Sequence, residues 1–293
     1  MFHQMNRFVT RFRDLEQQAL SHTPEEERQW RTLKDKLSSP QTGEDHQSVL
    51  SRRCIAVTSL YAQAGASFLS SNVAYIWAGN RIPVTFSELP STISYFYFAL
   101  DYERRLNRKA NPYTSAPMLL IQNDFLRIQI EPPFQTKMTP PIDAAHWLLR
   151  TCKDSPVVMI DVSSHWKEKA AQQIFELVDE IWVVFDTDLA RLTRLFLVEP
   201  APSWWMTEKR KIKLIANKWN QQLSRTSVMK RISGTLSLWD QESGPVEVEY
   251  VLPLMNGEKV GDAHVKASLL LEQFPEEEHA FSPLIHTYKG RVL

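Results

Sequence analysis

From residue 54 onward, short apolar runs alternate with stretches in which apolar positions recur every three or four residues. This is the pattern of a parallel sheet covered by helices on both faces. The runs at 54–58, 82–86, 157–161, 180–185, 211–216 and 247–252 predict strands. Helices are predicted over 67–78, 91–106, 141–152, 167–178, 188–196, within 224–232 and over 260–274. Residues 118–122 and 125–130, split by Asn123 and Asp124, predict a pair of strands that can form a hairpin. The expected fold class is α/β, a doubly wound and mostly parallel sheet flanked by helices. Its ligand site would lie at the carboxyl ends of the strands.

The first fifty residues read differently. Met5, Phe8, Phe12, Leu15 and Leu20, then Trp30, Leu33 and Leu37 beyond Pro24, predict two short amphipathic helices, the second opening at Thr23 and Pro24. Residues 38–48 are polar and turn-rich, as in a linker. The expected organisation is a helical extension over 1–37, a linker over 38–50 and an α/β domain over 51–293.

Charge narrows the function classes. The 34 basic and 34 acidic residues cancel, so there is no global footprint for nucleic acid or an anionic membrane, and no specific nucleic acid is indicated. Cys54 and Cys152 lie far apart in sequence and outside any C-x-x-C pair. That argues against a zinc site or a disulfide scaffold and fits a reduced, cytoplasmic compartment. No segment reaches the roughly 18 apolar residues that a membrane span needs. The expectation is a soluble protein without a transmembrane segment, at most peripheral to a membrane.

The chemistry is concentrated where the first strand meets the first helix. Such a turn is an anion site, because unpaired helix N–H groups and the helix dipole point at the same place. Here it runs Ser59-Leu60-Tyr61-Ala62-Gln63-Ala64-Gly65-Ala66-Ser67 after the strand Ile55-Ala56-Val57-Thr58-Ser59. This segment resembles the MinD/ParA family of P-loop ATPases (SIMIBI class), whose deviant Walker A loop K-G-G-x-G-K-S/T follows a strand I-x-V-x-N/S. Gly65 falls on the third loop glycine, Ser67 on the magnesium-binding hydroxyl and Asn72-Val73-Ala74 on the N-L-A of the helix. Tyr61 stands in place of the signature lysine, Ala62 and Gln63 in place of the paired glycines, and Ala66 in place of the phosphate-binding lysine.

Element order extends the resemblance from residue 53 to about 276. Val157-Val158-Met159-Ile160-Asp161 is similar to the Walker B-like strand, followed here by Val162-Ser163-Ser164-His165 rather than a P-x-G switch. Val178 to Val184 resembles the "aD-x-v-x-V" strand, Asn217 the residue that reads the adenine edge, and Val251-Leu252-Pro253-Leu254 the late strand and its proline turn. Glu88 is the one acid where relatives carry a D-x-D switch, and it reads equally as a cap for the helix beginning near Ser91.

The resemblance implies a nucleotide site at Gly65, Ala66, Ser67 and Asn217, weak or vestigial, with Ser67 and Asp161 as magnesium ligands if the metal binds. ATP and magnesium are compatible cofactors, neither of them required. Without its two lysines the loop lacks the charges that stabilise phosphoryl transfer, so catalytic residues are not expected. What remains is a pseudo-ATPase acting through protein partners as a scaffold or positioning factor, or a nucleotide switch that dimerises on ATP. A likeness to the TadZ/CpaE group, which places pilus and secretion machinery, points to a membrane-associated assembly as partner, and a homodimer is compatible.

Other residues are weighed against plainer roles. His146 and His165 sit in no metal-ligand spacing and read as surface or packing residues. No serine lies in a G-x-S-x-G elbow. Trp204 and Trp205, in a proline-rich connection before Lys209-Arg210-Lys211, are a candidate partner contact, with core packing as the alternative. The aromatic run Tyr95 to Phe98 with Tyr102 reads as core and subunit packing. The C-terminal stretch 281–293, interrupted by Pro283 and Gly290, is too short and broken for the amphipathic membrane helix of MinD-type proteins.

Overall fold

A computed structural model of the chain describes residues 52–90, 93–109, 118–121, 124–131, 143–153, 155–240 and 247–289. The expected N-terminal helices and linker lie outside these residues.

The strands are β1 (Arg53–Ser59), β2 (Val84–Glu88), β3 (Met118–Ile121), β4 (Leu126–Gln129), β5 (Val157–Ser163), β6 (Glu180–Phe185), β7 (Ile212–Trp219) and β8 (Tyr250–Pro253). They form one eight-stranded sheet in the order β3-β4-β2-β5-β1-β6-β7-β8. β3 runs antiparallel to β4 as the expected hairpin, and the other pairings are parallel. The helices are α1 (Ala66–Gly79), α2 (Tyr95–Ala99), α3 (Tyr102–Lys109), α4 (Ala144–Thr151), α5 (Lys169–Leu177), α6 (Leu189–Val198), α7 (Ser203–Thr207), α8 (Arg225–Leu236), α9 (Gly257–Val265), α10 (Leu270–Gln273) and α11 (Ser282–Lys289).

Alternation along the strands divides the interior into two layers. Ile55 and Val57 of β1, Val157 and Met159 of β5, and Trp182 and Val184 of β6 face one layer, with α1, Phe96 and Tyr97. Cys54 and Ala56, Val158 and Ile160, and Ile181 and Val183 face the other, where α4, α5, α6 and α8 pack. β1 is buried on both faces and paired on both edges, so every carbonyl and amide in it is placed by its neighbours.

Where the structure departs from the periodicity, backbone conformation is the reason. The helix expected over 91–106 breaks into α2 and α3 at Asp101, whose φ of 45° is left-handed. The helix expected over 260–274 breaks because Ala267 (φ 50°) closes α9 with bonds from Ala267 N to His264 O (3.0 Å) and from Ser268 N to Ala263 O (3.0 Å). That is the paired bonding of a Schellman cap, usually built on glycine. The C-terminal stretch, expected to be too short and broken for a membrane helix, forms the eight-residue α11. Pro283 occupies the first turn of α11, where its missing N–H costs nothing, and Phe281, Leu284 and Ile285 are buried in the first layer.

Trp204 and Trp205 correct the partner-contact expectation. Both are 2% exposed, lie on α7 rather than an extended connection, and pack with Phe175, Phe196, Trp166 and Trp239. Lys209 pairs with Asp240, and Lys211 with Glu208 (2.7 Å), so these two lysines of the basic cluster anchor the connection. The Trp204 Nε1 is buried without a hydrogen-bond partner among the described residues, so among them this ring contributes by packing. Trp204→Ala is expected to lower stability by about 3–5 kcal/mol in urea unfolding followed by circular dichroism. Trp204→Phe should cost clearly less, because it keeps aromatic volume and removes the unpaired N–H.

Candidate functional site

β1 delivers the loop between Ser59 and Ala66 to the carboxyl end of the sheet, beside the ends of β5 and β7. Gly65 (φ 99°) is left-handed and opens α1. A Cβ at this position would sit 2.4 Å from Asn217 Nδ2, so both the backbone angle and the space call for glycine. Gln63 is also left-handed (φ 68°), a conformation that costs a non-glycine residue about 1–2 kcal/mol. The turn therefore keeps a glycine-like path where the sequence has glutamine.

Two side chains from the end of β7 hold this path. Asn217, 4% exposed, donates from Nδ2 to Ala64 O (2.9 Å), and Lys218 donates from Nζ to Gln63 O (2.5 Å). Asn217 is thus spent on the loop in this conformation. Tyr61 turns away from the crevice: its hydroxyl donates to Asp186 Oδ1 (2.8 Å) and its ring lies under the Arg191 guanidinium, 4.6 Å away. Burial and the Asp186 carboxylate push the Tyr61 phenol well above its ordinary pKa, so it stays neutral. Ala66 lies at the start of α1, 3% exposed. Neither position where the resemblance puts a lysine presents a cation.

Ser67 and Asp161 are brought together, with Ser163 joining them. Ser67 Oγ lies 2.9 Å from Ser163 Oγ, and the Ser163 amide and hydroxyl both donate to Asp161 Oδ1 (2.8 and 3.2 Å). Asp161 Oδ2 is buried with no hydrogen-bond partner among the described residues. Burial raises the Asp161 pKa, opposed by the hydroxyls of Ser67 and Ser163 and the Ser163 amide. A carboxylate oxygen left open beside a hydroxyl fits a divalent cation. No cluster of three or more acidic, histidine or cysteine ligands occurs among the described residues.

Glu88 faces Asp161 across the β2–β5 pairing. Its carboxylate accepts from Ser94 Oγ, from Tyr95 N (2.6 Å) and from Phe96 N (3.3 Å). It therefore caps α2, as the plainer reading of this acid expected. Burial raises its pKa to about 7, with the nearby Asp161 adding to the rise against the hydrogen bonds.

Between the loop, Ser163 and α9 lies a crevice of about 570 Å³ whose lining includes Ser67, Ser163, Asn217, Lys218, Met255 and His264. Gly65, Ala66, Ser67 and Asn217, all expected at a nucleotide site, line it together. Lys218 and His264 were not singled out in the sequence, and Tyr95, expected as core and subunit packing, is 49% exposed and lines the crevice. Lys218 had a visible signal in its adjacency to Asn217, whereas His264 and Tyr95 come from helices whose placement only the fold reveals.

No protein-family model matches the chain, and no curated protein matches it either. Solved structures do. The MinC:MinD cell division protein complex of Aquifex aeolicus matches at 14% identity and TM-score 0.57, over 82% of this chain and 96% of that one. The cell division ATPase MinD of Pyrococcus furiosus matches at 12% identity and TM-score 0.57, over 81% and 98%. A ParA family ATPase of Chlorobium tepidum matches at 14% and 0.53, over 77% and 93%. The chain has the MinD/ParA-like fold. Within that fold the loop after β1, the end of β5 and the end of β7 converge on one crevice, as the element order anticipated.

Gly65→Ala is expected to cost about 1–3 kcal/mol in urea unfolding. It should cost measurably less in an Asn217→Ala background, which removes the close contact but leaves the left-handed angle. A second expectation concerns pH. Because the Glu88 pKa is raised from its ordinary 4.5 to about 7 on folding, its contribution is fully present below the unfolded value and is lost as pH rises through about 7. Unfolding measured between roughly pH 5 and pH 8 should show stability falling with pH, and Glu88→Gln should flatten that slope. An unchanged slope in the variant would assign the effect elsewhere.

Proposed function

We propose that this protein is a non-hydrolysing relative of the MinD/ParA ATPases that acts as a scaffold or positioning factor through protein contacts. The observation that carries the reading is the loop itself. Tyr61 is tied to Asp186 and Ala66 is packed at the start of α1, so the loop supplies no ammonium group to neutralise charge developing on a transferring phosphoryl group. Lys218 reaches the loop from β7, but its Nζ is held on Gln63 O.

A protein partner accords with the fold, one of whose solved examples is a complex of MinD with MinC. A membrane-associated secretion or pilus assembly, and a homodimer, remain the partner classes proposed for this chain. No described helix is long and apolar enough to cross a membrane, and we place the protein in the cytoplasm, with any membrane association peripheral. The exposed aromatic rings of Tyr95 and Phe98 on α2 and the exposed Leu254 beside the crevice supply apolar surface for such contacts.

A second reading has its own support. The crevice volume falls within the range of ligand pockets, roughly 300–1,000 Å³, and Asp161 Oδ2 stands open near Ser67. A nucleotide with magnesium would be held by the amides of Gly65, Ala66 and Ser67, the Ser67 hydroxyl and the Asp161 carboxylate. The protein would then be a switch that binds without turnover.

Calorimetric titration with ATP and magnesium separates the two readings. The scaffold reading expects no saturable heat at micromolar protein, whereas micromolar binding lost in Ser67→Ala would replace it with the switch. Both readings expect phosphate release at the buffer rate. Turnover abolished by Asp161→Ala would overturn both.

A further inference from the structure

Three buried rings of the second layer meet away from the crevice. Phe196 of α6, Trp205 of α7 and Trp239 just beyond α8 have centroids between 4.0 and 6.0 Å apart. The Trp239 indole donates to Glu199 O (2.9 Å), and the hydroxyls of Thr193 and Thr235 lie 3.3 Å apart, so α6 and α8 run side by side with their last residues tied together. The chain neighbours of these rings are apolar and face solvent: Leu197 and Val198 are 67% and 71% exposed, Met206 48% and Leu238 39%. An isolated exposed leucine needs no explanation. Here three separate elements bring apolar side chains to the surface over one aromatic floor.

Cations border this cluster. α6 and α8 carry Arg191, Arg194, Arg225, Lys230 and Arg231 and no acidic residue, in a chain whose total charges cancel. Arg194 precedes Leu197 and Val198 by three and four residues, which puts it on their face of the helix. Lys230 and Arg231 are exposed on α8, and Arg210 is exposed beyond α7. The acids next to the cluster are already held by lysines: Glu199 by Lys167 (2.7 Å), Glu208 by Lys211 (2.7 Å) and Asp240 by Lys209. The field over this surface is therefore positive.

We propose that this cluster and its bordering cations dock the chain on a membrane surface bearing anionic phospholipids. Exposed arginines and lysines attract the headgroups, and aliphatic side chains that project into solvent enter the boundary between headgroups and acyl chains. Nucleic acid would use the cations and leave Leu197 and Val198 in water. A partner helix would call for a groove, whereas side chains as exposed as these two stand out from the surface and suit a deformable lipid layer. The C-terminal stretch takes no part, because Phe281, Leu284 and Ile285 are buried in the first layer, across the sheet from α6 and α8.

This inference rests on the peripheral membrane association proposed above and gives it a surface. It is tested by sedimenting the full chain, without nucleotide, with vesicles of phosphatidylcholine alone and of phosphatidylcholine mixed with phosphatidylglycerol. Binding is expected to the mixed vesicles only, and should weaken as salt is raised. Arg194→Gln with Arg231→Gln should weaken it by about five-fold for each cation removed. Leu197→Ser with Val198→Ser, which leaves every charge in place, should weaken it by about ten-fold. All four side chains face solvent, and circular dichroism checks that the variants fold. A wild-type chain that stays in solution with the mixed vesicles overturns both the membrane association and this surface. Binding unchanged in both variants keeps the association and overturns the surface. Loss in the arginine variant alone, with equal retention on duplex DNA, assigns the cations to nucleic acid and overturns the proposal.

Discussion

The central strand β1 is hydrogen-bonded to β5 on one edge and β6 on the other, with its side chains buried in two different layers. A strand in that position has no freedom to slip, because a one-residue shift would exchange Ile55 and Val57 with Cys54 and Ala56 between the layers. The parallel pairings put the carboxyl ends of β1, β5, β6 and β7 at the same side of the sheet. The convergence of Gly65, Ser67, Asp161 and Asn217 follows from that arrangement. No local interaction among those residues could have produced it.

The loop shows how a turn can persist while its side chains change. Its path rests on a left-handed Gly65, a left-handed Gln63 and two donors from β7, Asn217 and Lys218, that hold consecutive carbonyls. None of these supports depends on a lysine at position 61 or 66. Tyr61 has found other partners in Asp186 and Arg191, which tie the loop to the start of α6 through a neutral hydroxyl and a ring. Opposite the loop, Glu88 and Asp161 form a buried acidic pair in which Glu88 caps α2 and Asp161 holds the Ser163 turn. Burial of two carboxyls side by side is costly unless one is protonated or neutralised, and burial raises the pKa of both.

Much of the architecture was legible in the order of apolar runs. The ends of β6 fall on the expected residues, the hairpin of β3 and β4 lies on either side of Asn123 and Asp124, and α1 follows the loop as expected. That is because a two-faced strand needs a continuous apolar run and a covering helix needs a stripe, and both are local properties of the chain. The juxtaposition of Gly65, Ser67 and Asp161 was legible too, through resemblance to a known element order. The breaks at Asp101 and Ala267 were not, since neither is a glycine and their left-handed angles answer to surrounding packing.

The role of a side chain with two plausible settings was decided by tertiary structure. Trp204 and Trp205 have the same sequence neighbours whether they face solvent or core. It is the cavity between α5, α6 and the Trp239 ring that buries them. Glu88 could have held a metal or capped a helix, and the amides of Tyr95 and Phe96 decide for the cap. By itself the sequence determined the order of the strands and of most helices between them, and that the loop after β1 lacks lysines. Which distant groups share a site depended on the packing of those elements, because a contact between remote residues is a property of the sheet's order and not of any one segment.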